Sequence, residues 1–105
     1  MASQPATLLI VDDEPQIRKL LETLLQHEGY QTMSAGSGEE ALDLIAQRLP
    51  DLILLDIMMP GMDGYEVASQ LKGDETTASI PIIMLSALSE SSARINGLQT
   101  GAEEF

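Results

Sequence analysis

Two stretches of the chain carry four large apolar residues in a row, LLIV at residues 8–11 and LILL at residues 52–55. Such a run has no polar face to turn to water, so each predicts a strand covered on both sides, as in the middle of a parallel α/β sheet. A third run, IPIIML at residues 80–85, predicts another, with Pro81 tolerable where the strand begins. Residues 30–34 (YQTMS) are much more polar, which suits an edge of the sheet. Between the strands the apolar spacing changes to three and four. Ile17, Leu20, Leu21, Leu24 and Leu25 give a first helix one core-facing stripe. Ala41, Leu42, Leu44, Ile45 and Leu49 supply the buried side of a second, and Val67, Ala68 and Leu71 the inward face of a third. A fourth is expected from near Ser89, with Leu88, Ile95 and Leu98 inside and Gly101 as its stop. Gly97 costs it about 1 kcal/mol relative to alanine, and with Ser91 and Ser92 makes it the least stable helix.

The punctuation agrees with these elements. Pro15 is allowed in the first turn of the first helix, where a missing amide proton costs little. Gly29 stops that helix, and His27 in its last turn suits the helix dipole rather than catalysis. Gly36-Ser37-Gly38 invites a phosphate-loop reading, but it lacks the lysine and the spacing of one. Ser37 and Glu40 have the spacing of a capping box, and Pro50 prevents the second helix from continuing. Asp63 and Glu66 repeat the cap spacing, Gly73 ends the third helix, and residues 74–79 form a polar loop. Met58, Met59 and Met62 read as flexible packing around the loop before that helix.

The chemistry lies where the apolar runs stop. Residues 8–11 end in Asp12-Asp13-Glu14, and residues 52–55 end in Asp56. Asp56 alone could be a turn residue closing a strand. Two parallel strands ending this way, however, bring Asp12, Asp13 and Asp56 into one small volume at the C-terminal edge of the sheet, where ligands of open α/β sheets bind. Like charges that close raise one another's pKa and call for a cation. Magnesium suits the set: a hard ion bound by one or two carboxylates, a carbonyl and waters, usually to handle phosphate. Residues 80–85 end in Ser86-Ala87, which puts a small hydroxyl at the same edge.

Composition narrows the field. With 105 residues, 44% hydrophobic and 21% charged, the chain is one ordinary globular domain. No apolar run approaches the ~20 residues of a membrane span, and the start shows no signal peptide, so a cytoplasmic location is expected. The absence of cysteine excludes thiol chemistry, and a single histidine excludes multi-histidine metal sites. A formal charge of −12 argues against direct nucleic-acid binding.

Taken together, VDDE at residues 11–14, DLILLDIMMPGMDG at residues 51–64, IPIIMLSA at residues 80–87 and GAEEF at residues 101–105 resemble the receiver domain of two-component response regulators. The resemblance covers virtually the whole chain, residues 1–105 being one receiver domain that is incomplete at its C-terminal end. It implies an α/β, three-layer, doubly wound parallel sheet of the flavodoxin-like kind, in order 2-1-3-4-5 with five helices. It assigns Asp56 as phosphoacceptor, Asp12 and Asp13 as the acids that hold Mg²⁺, and Met58 as the residue whose backbone carbonyl completes the metal site. Ser86 is then the hydroxyl that senses the phosphoryl group, Ala87 the small residue beside it, and Phe105 the switch aromatic. The implied partners are a sensor histidine kinase or phosphotransfer protein, and an output domain or downstream partner outside this chain. The domain would assist its own phosphorylation without being a turnover enzyme. The family's lysine, three residues beyond the aromatic, has no counterpart here, and strand five and helix five are largely missing. Strand four would then be a long apolar edge, helix one would lose part of its cover, and a homodimer through strand four or helix four becomes an option. A phosphorylation-independent interaction module is the alternative to the switch, and an aspartyl-nucleophile hydrolase a more remote one.

Overall fold

A computed structural model describes residues 5–85 and the two-residue strand at 103–104. Its elements are β1 (Thr7–Val11), α1 (Pro15–His27), β2 (Gln31–Ala35), α2 (Gly38–Gln47), β3 (Leu52–Asp56), α3 (Gly64–Lys72), β4 (Ile82–Leu85) and β5 (Glu103–Glu104). They build one parallel sheet in the order β2-β1-β3-β4-β5, the expected doubly wound α/β arrangement. All five residues of β1 are buried, as are Ile53, Leu55 and Asp56 of β3, because the unbroken apolar runs lie between layers of helix. Leu9, Val11, Ile53, Leu55, Ile82 and Met84 form the centre of the core, with Ala41, Ile45, Val67, Ala68 and Leu71 covering them from α2 and α3.

The helix starts follow the sequence closely. Asp63 accepts from the Glu66 amide at 3.0 Å while Glu66 Oε1 accepts from the Asp63 amide at 3.1 Å, a complete capping box. At α2 only half of the expected box forms. Ser37 Oγ accepts from the Glu40 amide at 3.1 Å, but Glu40 Oε1 reaches one residue further back and accepts from the Gly36 amide at 2.7 Å. At the other end of α1, Gly29 has φ 96°, a left-handed conformation that explains glycine after the last turn.

Four expectations need correction. The stripe of α1 is narrower than its periodicity implied, in line with the lost cover expected for helix one: Ile17, Leu21 and Leu25 are half-buried, whereas Leu20 and Leu24 are each 54% exposed. Spacing sets which way a helix faces, not how much neighbouring structure covers it. Leu49 lies beyond the end of α2 and is 53% exposed, so it does not belong to the buried side of that helix. Strand two runs one residue later than expected, and strand four begins at Ile82, although Ile80 is buried and the Pro81 carbonyl accepts from the Ile53 amide at 3.0 Å. Finally, strand four is not a bare edge, since Ile83 and Met84 pair with Glu103 and Glu104. The expected fourth helix, and with it Ser86 and Ala87, lies outside the described residues, as does Phe105.

Candidate metal and phosphoryl site

The C-terminal ends of β1 and β3 lie side by side, with Val11 in register with Leu55. The residues that follow therefore meet at one edge. Asp12 continues β1: its amide donates to the Ala35 carbonyl of β2 at 3.1 Å, and its Oδ1 accepts from the Glu14 amide at 2.9 Å. Asp56 ends β3, and its Oδ1 accepts from the Met58 amide at 3.2 Å. The next residue is tied down twice, the Ile57 amide donating to the Leu85 carbonyl at 3.3 Å and the Ile57 carbonyl accepting from Gly64 at 3.1 Å.

This frame gathers the three predicted acids. Asp12, Asp13 and Asp56 each offer a carboxylate oxygen within 4.8 Å of the others. Asp12 and Asp56 are 6% and 7% exposed, while Asp13 is half-buried. Burial pushes the Asp56 carboxyl up to about 6, with a further rise from the charge of Asp12, an opposing pull from the Met58 amide, and a smaller rise from Asp13. Burial also raises Asp12, and the neighbouring Asp13 adds to this against the Glu14 amide and the Arg18 guanidinium. Three hard oxygen donors, two of them taken from water and destabilised by one another's charge, fit a divalent cation such as Mg²⁺.

Of the other predicted residues, Met58 stands in the loop beside Asp56 and meets it through the amide, with its side chain 58% exposed. Met59 is buried in the core, so only Met59 and the partly buried Met62 pack as expected. A cleft of about 340 Å³ runs past Met58, Met59, Pro60 and Tyr65 beside the site. A larger one of about 590 Å³ lies between the C-terminal ends of α2 and α3. Arg48, on its wall, bonds to Thr7 at the start of β1, so that cleft belongs to the opposite end of the sheet from the acids.

Two residues of the site escape sequence reasoning. Gly64 opens α3 directly against the acid tip: a Cβ there would run into the Asp56 carbonyl and come within 2.9 Å of Ile57 Cα. Arg18, half-buried in the early part of α1, donates from Nη1 to the Asp12 carbonyl at 2.8 Å. A glycine at a helix start reads as a turn and an arginine on an amphipathic helix reads as solvated, so neither gave a signal.

Known proteins resemble this chain along nearly its whole length. Residues 8–105 match the family described as "Response regulator receiver domain". The chain is 50% identical over 98 residues to "Probable transcriptional regulator ycf27" of Guillardia theta, covering 93% of this chain and 37% of that protein. It is 48% identical over 99 residues to the phosphate regulon transcriptional regulatory protein PhoB of Pseudomonas aeruginosa, covering 94% of this chain and 43% of that one. The chain thus spans less than half the length of these relatives. Among solved structures, a protein described as a response regulator from Chloroflexus aurantiacus superposes with a TM-score of 0.91 at 42% identity, covering 95% of this chain and 82% of that one.

Proposed function

Since the chain belongs to the response regulator receiver family of two-component signalling, we propose that it accepts a phosphoryl group on Asp56 from a sensor histidine kinase or phosphotransfer protein. The observation that carries this reading is the closure of Asp12, Asp13 and Asp56 to within 4.8 Å at the C-terminal edge of the sheet.

Asp12 and Asp13, with the Met58 backbone carbonyl, are the residues that would hold Mg²⁺, and Asp56 would join them. The ion, when bound, supplies charge neutralisation for phosphate oxygens, the main requirement of phosphoryl transfer. The chain's own contribution is positioning. With Asp56 Oδ1 held by the Met58 amide, Oδ2 is the oxygen assigned to attack phosphorus in line. An O–P bond forms, the P–N bond to the donor histidine breaks, and the electron pair of that bond stays on the imidazole nitrogen. The product is an acyl phosphate on Asp56. Attack requires the carboxylate form, and Asp56, a group otherwise held near 6, would present it once the charge of the cluster is neutralised.

Ser86, Ala87 and Phe105 keep the roles that the family resemblance gives them. The Ser86 hydroxyl gains a charge-assisted bond to the phosphoryl group, Ala87 leaves room for it, and Phe105 reports the change. The domain is a switch and not a turnover enzyme. The relatives named as transcriptional regulators support a gene-regulatory output borne by a segment other than this acidic domain. Phosphotransfer from a phosphorylated histidine donor, followed by phosphate-affinity electrophoresis, tests the proposal. Wild type should shift and Asp56→Asn should not, and a shift that persists in Asp56→Asn contradicts the assignment.

A further inference from the structure

Arg18 stands beside a cluster of three acids, yet its guanidinium is spent on a backbone carbonyl, that of Asp12, at 2.8 Å from Nη1. The contact has little room around it. A Cβ at Gly36 would lie 3.1 Å from Nη1 and 3.6 Å from Cζ, a tight contact that a shift of a few tenths of an ångström relieves, so a branched side chain at position 36 is what would crowd the guanidinium. Gly36 is itself fixed, its amide donating at 2.7 Å to Glu40 in the first turn of α2. On the other side, the Asp12 amide donates to the Ala35 carbonyl. The peptides on either side of the Asp12 Cα are thus each held, the preceding one through its N–H by β2 and the following one through its C=O by α1, which leaves the carboxylate to turn about its side-chain bonds. Hydrogen bonds from an ionised donor are roughly twice as strong as neutral ones, which makes the Arg18 grip the firmer of the two.

We infer that Arg18, seated against Gly36, is a positioning residue that fixes the direction in which Asp12 and Asp13 present their carboxylates to a divalent cation. The inference rests on reading the acid cluster as a cation site. It predicts an effect opposite in sign to simple electrostatics. A positive charge near the cluster should repel a cation, so if Arg18 acted only through its charge, removing it would tighten binding. If it acts by positioning, removing it loosens binding, and so does displacing it with its charge intact.

The test is Mn²⁺ affinity, read by electron paramagnetic resonance, in wild type, Arg18→Met, Arg18→Lys and Gly36→Val, with denaturant stability of each measured separately in EDTA. Met removes the charge, Val crowds the guanidinium from its seat, and Lys keeps a charged donor on an unbranched stem and guards against loss of folding. The expected result is affinity weakened about tenfold in Arg18→Met and Gly36→Val, the usual scale for groups that orient metal ligands, with Arg18→Lys between them and wild type. Tighter binding in Arg18→Met, or unchanged Mn²⁺ affinity alongside lowered stability, overturns the inference while leaving the cation site intact. Failure of wild type to bind Mn²⁺ overturns the cation site and the inference together.

Discussion

Gly64 and Asp56 touch through their backbones: the first residue of α3 lies so close to the last of β3 that a Cβ on Gly64 would overlap the Asp56 carbonyl oxygen. The clash is with backbone, which cannot swing aside as a flexible side chain would. Gly64→Ala should therefore destabilise the fold by ~1–3 kcal/mol, the usual range for overpacking, and push the peptide carrying Asp56 out of line. Urea denaturation and the initial rate of phosphorylation by acetyl phosphate should both fall. Gly61→Ala, where the open space leaves only the cost of φ 75°, should affect stability and spare the rate.

Asp56 makes the metal-free protein sensitive to pH in a particular direction. Its folded value of about 6 lies above the ~3.9 of a free aspartate, so the folded state binds this proton more tightly than the unfolded state. The stabilisation is full below about pH 4 and is lost as pH rises through about 6, amounting to on the order of 3 kcal/mol. In EDTA, Asp56→Asn should remove this component. Its stability relative to wild type should rise between pH 4 and pH 7.5, as followed by urea denaturation across that range.

A divalent cation should reverse the penalty. At pH 7.5 Mg²⁺ should raise the melting temperature of wild type in a concentration-dependent way, as any ion does that binds the folded cluster and not the unfolded chain. Asp12→Asn and Asp56→Asn should both blunt the rise, and thermal melts over a Mg²⁺ series read this directly. Sodium at matched ionic strength should not substitute.

The loop after Asp56 depends on the box at α3. Asp63→Ala leaves the Glu66 amide without its cap, and only the return bond from the backbone amide at position 63 to the Glu66 side chain remains. The loss should be about 1 kcal/mol. Hydrogen exchange should show it at the start of α3, with exchange in the middle of β1 unchanged.

How much of this was legible in the sequence depended on whether a residue's role is local. The burial of β1 and β3 follows from four apolar residues in a row, and the meeting of Asp12, Asp13 and Asp56 follows from two parallel strands ending at one edge. The Asp63–Glu66 box is a contact three residues apart and was read directly. What escaped depends on tertiary neighbours. Leu20 and Leu24 share the periodicity of Ile17 and Leu21 but stay exposed, since periodicity does not say what lies opposite. Glu40 passes over the Ser37 amide for that of Gly36, a choice set by the loop's path. Gly64 and Arg18 matter because of peptides eight and six residues away in the chain, and no local pattern marks them. The assigned roles of Ser86, Ala87 and Phe105 rest on the resemblance, because those residues lie outside the described part of the chain.

The measurement that bears most directly on the central claim is intact mass after incubation with acetyl phosphate and Mg²⁺, with Asp56→Asn alongside and EDTA as a second control. Wild type should gain one phosphoryl group, lost on alkaline treatment as an acyl phosphate is, and neither control should gain it. A folded wild type that gains none, or an Asp56→Asn variant that gains as much, would contradict the account.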